Sequence, residues 1–279
     1  MASMQDRVLI PVDFTKESMA MFDCALELKE LGLKHLTLLH VQQKGQELDK
    51  EQTQKFDEME QKMNAAGIDS RAIIRDGDPV QAIVDEADKE DVDMVVMASG
   101  GKGRAEEFFV GSVSFGVVRR TSKPVLLDKY PMMPDGAVRA CRIGPTLFRN
   151  ALVAVELPMC SGNLEAFFSD LCERGLNGAT LLHVVDSDRY KMSDDKRFRD
   201  VKKFLEDMKS RITSHKCEIK THVHYGTAAY NVLEVAREID ASIIVVGTKQ
   251  KSYLRGLTIG SVSEEVVRRA SIPVLVVPC

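Results

Sequence analysis

The sequence predicts an α/β protein built as two tandem copies of one unit, each a five-stranded parallel sheet sandwiched between helices. Two observations carry this prediction. Four short strings recur in constant order. Leu38-Leu39-His40-Val41 returns as Leu181-Leu182-His183-Val184, 143 residues on. Gly111-Ser112-Val113-Ser114, Val117-Val118-Arg119-Arg120 and Pro124-Val125-Leu126 return as Gly260-Ser261-Val262-Ser263, Val266-Val267-Arg268-Arg269 and Pro273-Val274-Leu275, each 149 residues on. Such self-similarity marks duplication. Second, short apolar runs alternate with stripes at helical spacing, and the runs are apolar on successive residues. Strands buried on both faces under helices read this way, and they pair in parallel. A chain of 279 residues is long enough for two such domains.

The elements follow in order. In the first copy, residues 7–12 read as a strand, and Met19, Phe22 and Leu26 mark one helical face. Residues 36–41 form the second strand, Phe56, Met59 and Met63 the next helical stripe, and residues 71–75 the third strand. Val80, Ile83, Val84 and Ala87 fall at i, i+3, i+4 and i+7, an amphipathic helix that Asp78-Pro79 opens with an N-cap acceptor and a proline at the first helical position. Residues 94–98 and 124–127 are the fourth and fifth strands, with a helix over 112–120 between them. The second copy repeats this with strands near 151–155, 179–184, 217–223, 242–246 and 274–277. Its helical stripes include Val201, Phe204, Leu205, Met208 and Ile212, then Val232, Val235, Ala236 and Ile239. The offset grows by six between the early and late repeats, so the second copy has a longer segment after its second strand. The domains are read as 1–128 and 150–279, joined by a linker over 129–149 that carries Pro131, Pro134, Gly136, Gly144 and Pro145.

Composition excludes several classes. Hydrophobic residues make up 44% and charged residues 29%, typical of a soluble globular chain. No apolar run approaches the ~20 residues of a membrane helix, and the first residues lack a signal-peptide core. The net charge of −4 offers no general basic field for nucleic acid. Cys24, Cys141, Cys160, Cys172, Cys217 and Cys279 include no C-x-x-C pair and no zinc-like spacing with histidine. They read as buried or incidental thiols in a reducing cytoplasm, with Cys279 the exposed one.

Ligands of open parallel sheets bind at the carboxyl ends of the strands. The richest such place follows strand four: Ala98-Ser99-Gly100-Gly101-Lys102-Gly103-Arg104, then Gly111-Ser112-Val113-Ser114 opening a helix. It is neither a Walker A loop nor G-x-G-x-x-G, since Glu106 fills the third glycine position. Backbone N–H groups and the helix dipole at this place suit a phosphate, and Ser112 and Ser114 can add hydroxyl donors. The alternative is that the glycines only make a turn and Ser112 caps the helix.

The unit resembles the universal stress protein family, whose pattern here is G-x-x-G, nine residues, then G-[ST]. The first copy reads Ala98-Ser99-Gly100-Gly101, nine residues, Gly111-Ser112; the second reads Gly247-Thr248-Lys249-Gln250, nine residues, Gly260-Ser261. The strand Val8-Leu9-Ile10-Pro11-Val12-Asp13 and the Leu-His-Val string match as well. The resemblance covers both halves. It implies a Rossmann-like sheet of order 3-2-1-4-5, of the adenine nucleotide alpha hydrolase-like type, and an ATP- or AMP-type site in those members that keep the motif. With no carboxylate–histidine pair, metal triad or activated nucleophile at a catalytic spacing, the chain reads as a non-enzymatic stress-response or regulatory protein. Mg would accompany ATP. Carried over by position, Asp13 holds the ribose, the backbone of Val41 contacts adenine with Pro11 flanking it, and Gly101, Gly111, Ser112, Val113 and Ser114 cradle phosphates near Ala98. The second copy offers Val184, Gly247, Gly260, Ser261, Val262 and Ser263. Three departures weaken the match: Ala98 replaces the first glycine, Gln250 the second glycine of the second copy, and Glu156 stands where the first copy has Asp13. The resemblance also implies an intramolecular pseudo-dimer through residues 125–127 and 274–277, open to further homodimer formation. Competing readings are a slow ATPase and a scaffold whose sites have decayed.

Other residues read as structural. His40 and His183 sit in the interior pattern of strand two, and His222 and His224 share a strand face without a third metal ligand. The acidic run Asp85-Glu86, Asp88, Glu90-Asp91 reads as a solvated face, and the 13 methionines as core packing.

Overall fold

The computed structural model describes residues 6–26, 28–29, 32–99, 110–129, 147–156, 161–187, 195–212, 217–248 and 260–278. The described residues fall into two compact units, 6–129 and 147–278. The first contains β1 (Arg7–Pro11), α1 (Lys16–Ala25), β2 (His35–Gln42), α2 (Lys50–Ala65), β3 (Asp69–Asp76), α3 (Pro79–Lys89), β4 (Met94–Ser99), α4 (Ser112–Arg120) and β5 (Val125–Lys129). The second contains β6 (Asn150–Ala154), α5 (Ser161–Arg174), β7 (Gly178–Asp186), α6 (Asp195–Arg211), β8 (Glu218–Gly226), α7 (Ala228–Glu238), β9 (Ile243–Gly247), α8 (Ser261–Arg269) and β10 (Val274–Val277). Three of the six extra residues of the second copy fall between α6 and β8, a connection of six residues against three in the first.

All pairings within each unit are parallel. The first sheet runs β3-β2-β1-β4-β5, with registers such as Ile10 to Leu38, Val8 to Met94 and Ala98 to Asp128. The second runs β8-β7-β6-β9-β10, with Val153 to Leu181 and Val153 to Val245. Both orders are the 3-2-1-4-5 that the resemblance implied. The cores are the two-sided aliphatic strands: Val95, Val96, Val245 and Leu275 are all buried. Each such side chain contributes about 1.5–3 kcal/mol of transfer free energy.

The duplication persists in backbone detail. Asp91 and Asp240 take positive φ of 45° and 50° just past α3 and α7, the left-handed cap that ends a helix. Asp78 caps α3 as expected, its carboxylate accepting from the Gln81 N–H at 2.9 Å. The acidic run of α3 is not wholly solvated. Glu86 and Glu90 are buried. The Glu86 carboxylate accepts from Arg75 at 2.8 and 3.1 Å and from Lys89 at 2.9 Å. Burial pushes its pKa up, but the hydrogen bonds and charges of Lys89 and Arg75 outweigh that and hold it low. Glu90 pairs with Arg71, and its carbonyl accepts from Arg7. Asp85, Asp88 and Asp91 are exposed as expected, while Glu86 and Glu90 join a helix-to-strand ion network because β3 presents arginines to α3.

Candidate functional site

The carboxyl ends of β1 and β4, and of β6 and β9, flank the point where strand addition reverses direction, so a crevice opens there. β1 stops at Pro11 while β2 continues to Gln42. The Val12 N–H donates to the Leu39 carbonyl at 2.8 Å. Strand groups alternate with period two. Val41, two residues beyond Leu39, therefore turns its N–H and C=O toward the side where β1 has ended. That open edge can pair with the donor and acceptor groups of a planar base. The Val155 N–H bonds Leu182 at 2.8 Å and leaves Val184 in the same position.

The loop after β1 is held from several sides. The His40 Nδ1–H donates to the Val12 carbonyl at 2.7 Å, and His183 makes the same bond to Val155 at 2.7 Å. A carbonyl only accepts, which fixes the tautomer of both rings. Burial lowers the pKa of His183 despite the opposing bond to Val155, so it stays neutral. Each ring thus holds the residue that follows its unit's first strand. Asp13 is exposed, and its Oδ1 accepts from the Thr15 N–H at 3.0 Å and the Thr15 hydroxyl at 2.6 Å. Phe14 has a φ of 59°, rare for a bulky residue. Its ring lies 5.0 Å from the His40 ring and 6.0 Å from that of Phe56.

Across the crevice stand the starts of α4 and α8. Their N-caps are Gly111 (φ −59°, ψ 151°) and Gly260 (φ −63°, ψ 150°), and neither helix has a side-chain cap. By contrast, α2 and α3 are capped by Asp49 and Asp78. Ser112 is the first helical residue, not the cap, which removes the alternative reading of it. The glycine dihedrals are open to any residue. A Cβ on Gly111 would meet only Ser114 Oγ, at 3.9 Å, and one on Gly260 nothing within 4 Å. Among the described residues, packing does not require glycine at either place. What the glycines leave is room over the N–H groups of a helix start, the arrangement that suits an anion.

The serines divide into two kinds. Ser114 Oγ donates to the Ala98 carbonyl at 3.2 Å, and Ser263 Oγ to the Gly247 carbonyl at 2.7 Å. These hydroxyls latch helix start to strand end, so their protons are not available to a phosphate; their backbone N–H groups are. The side chains of Ser112 and Ser261 are exposed. Val113 and Val262 stand second in the two helices. Gly101 and Gln250 lie outside the described residues.

Two features escaped the sequence reading. Glu264 lies in the first turn of α8, where α4 has Phe115, and pairs with Arg268 at 3.0 and 3.2 Å. A carboxylate there competes with an anion for the helix dipole. Laying 260–269 over 111–120 would have exposed it. Lys129 closes β5 in register with Ser99, where the second copy has Pro278. It is buried, and burial pushes its pKa down to about 8 against the pull of Asp128. No local pattern signals that.

A separate cleft of about 580 Å³ opens at the amino ends of β6, β7 and β8, beside Asn150, Lys220 and His222. It is at the opposite end of the sheet from Gly260 and carries no part of this site. Among the described residues no group of three His, Cys, Asp or Glu side chains could hold a metal, and no helix is long and apolar enough to cross a membrane. The His222 and His224 rings stack with centroids 6.3 Å apart.

The family model for the universal stress protein family matches residues 4–129 and again 147–278. The chain belongs to the universal stress protein family. Universal stress protein MJ0577 of Methanocaldococcus jannaschii is 25% identical over 158 residues, 46% of this chain and 98% of that protein. Universal stress protein G of Salmonella typhimurium is 38% identical over 73 residues, 26% of this chain and 51% of its own length. A universal stress protein from Archaeoglobus fulgidus shares the fold across both units, with a TM-score of 0.73, 24% identity and 98% coverage of either chain.

Proposed function

We propose that this tandem universal stress protein binds an adenine nucleotide in its first unit and acts as a non-enzymatic regulatory protein in the cytoplasm. The observation that carries the reading is the start of α4, which has no side-chain cap and whose N-cap glycine is not demanded by packing among the described residues. The phosphates would accept from the N–H groups of Ser112, Val113 and Ser114 and from the Ser112 hydroxyl, with Gly101 completing the loop. The Val41 backbone edge would take adenine against Pro11, and Asp13 the ribose. ATP would bring Mg; AMP would not need it. The first unit is favoured over the second because Glu264 puts a carboxylate in the first turn of α8 and Glu156 is longer than Asp13.

Calorimetry with ATP, ADP and AMP tests this. One nucleotide per chain is expected, lost in Gly111→Glu and kept in Gly260→Glu. No binding by the native chain would favour a scaffold with decayed sites. Phosphate release that survives repurification and disappears in Gly101→Gln would favour a slow ATPase. Association of the two repeats belongs to the same proposal and rests on the duplication; halves expressed apart that never associate would count against it.

A further inference from the structure

The second unit holds a pair of thiols that the nucleotide reading does not use. Cys172 lies in the last turn of α5 and is fully buried; Cys217 immediately precedes β8 and is nine-tenths buried. They stand 45 residues apart in sequence, a spacing that suggests nothing. The fold brings them together. The Leu176 N–H donates to the Leu171 carbonyl at 3.0 Å, and the Glu218 N–H to the Asn177 carbonyl at 3.0 Å. The end of α5 is thereby turned back against the start of β8. The two thiols are hydrogen-bonded to each other and are not bridged.

The first unit ties the same junction differently. The positions equivalent to Cys172 and Cys217 are Lys29 and Ile68. There the Lys29 ammonium donates to the Ala66 carbonyl, two residues before Ile68. In both units, then, the segment that closes or follows the first helix touches the short connection that leads into the third strand. Only the second makes that contact from two groups that can be joined covalently.

We propose that Cys172 and Cys217 form a reversible disulfide, made at the expense of hydrogen peroxide, that staples α5 to β8. Cys217 is the attacking residue. It is the more exposed of the two, and the hydrogen bond from Cys172 favours its thiolate over the opposing effects of burial and Glu218. That same bond, together with burial, keeps Cys172 protonated. The Cys217 thiolate attacks one peroxide oxygen, the O–O bond breaks, and a sulfenic acid and hydroxide result. The Cys172 sulfur then attacks the Cys217 sulfur, the S–O bond breaks, and the departing hydroxyl leaves as water with the Cys172 proton. Two thiols lose two electrons, and the peroxide gains them. A nine-tenths buried sulfur admits a molecule as small as peroxide more readily than a bulky disulfide, and a bridge in a reducing compartment is by nature transient.

The test uses the full chain, reduced and then exposed to stoichiometric hydrogen peroxide. Free thiols are alkylated in denaturant and mapped by mass spectrometry. Two thiols should be lost, with a cross-linked peptide pair containing Cys172 and Cys217 that dithiothreitol restores. Closing a 46-residue loop should raise the melting temperature by about 5–10 °C. The cross-link should vanish in Cys217→Ser and persist when Cys24, Cys141, Cys160 and Cys279 are all replaced by serine. Both thiols remaining alkylatable, Cys217 oxidised to sulfinic acid without bridging, or either cysteine pairing with another residue would overturn the proposal. The thiol count on the native chain decides the matter even if a cysteine variant folds poorly.

Discussion

Replacing Gly111 with aspartate should stabilise the first unit and weaken nucleotide binding together. At an N-cap, aspartate exceeds glycine by a few tenths of a kcal/mol. A carboxylate at the positive end of the helix adds about 0.3–1 kcal/mol. The protein supplies its own templates: Asp49 accepts from the Gln52 N–H at 2.8 Å and Asp78 from the Gln81 N–H at 2.9 Å. At Gly111 the dihedrals are already those of a cap, and the nearest atom to a new Cβ is 3.9 Å away. A gain of about 0.5–1 kcal/mol follows, or about 1–4 °C in melting temperature. The same carboxylate would stand near the bound phosphate. Two unit charges 4 Å apart repel by about 4 kcal/mol at an effective dielectric of about 20. Halving that for solvent and salt leaves about 2 kcal/mol, or a loss of about 30-fold in affinity. Thermal melts with and without nucleotide, together with calorimetry, read both effects. The unliganded variant should melt higher than the native protein and show little or no shift with nucleotide. Undiminished affinity, or a lower melting temperature without ligand, would refute the reasoning.

Gly116→Ala should cost about 1–3 kcal/mol in denaturant melts, because its Cβ would come within 2.7 Å of Val80 Cγ2; adding Val80→Ala should return part of it. Lys129 has a folded pKa of about 8 against an ordinary 10.5. Between those values the unfolded chain holds a proton the folded chain has released, so stability should rise with pH across that window. Lys129→Met should flatten that rise and raise stability at pH 7 by at most ~3 kcal/mol, measured by urea unfolding at several pH values. His183 works in the acid range: its folded pKa lies below the ordinary 6.5, so its contribution is full above that pH and declines as pH falls through it. His183→Leu would remove this dependence and leave the Val155 carbonyl without its donor, at a cost of about 1–3 kcal/mol.

Much of the fold was legible because its signals are local or repeated. The aliphatic runs of β4 and β9, the 3.6-residue stripe of α3 and its Asp78-Pro79 start can each be read within a dozen residues. Strand ends were less legible. β3 extends from Asp69 to Asp76, beyond the apolar run that marks it, because an edge strand can pair through polar residues that no hydrophobic pattern records. The site was legible as a motif, and its assignment stays part of the proposal. The division of labour among its serines was not legible. Ser112 and Ser114 look alike in sequence, yet one is exposed and the other donates to Ala98. That difference arises only when the helix start meets the strand end.

The sequence by itself determined that one α/β unit occurs twice, since period, order and offset are properties of the chain. It also placed glycines at the starts of two helices. Tertiary structure decided what those facts mean: that neither glycine start has a side-chain cap, and that Lys129 is buried beside the end of β4. It alone brought Cys172 and Cys217 together. The physical reason is common to all of these. Propensity and periodicity act between near neighbours in the chain, whereas burial, hydrogen-bond partners and charge proximity are set by residues that folding brings in from far away.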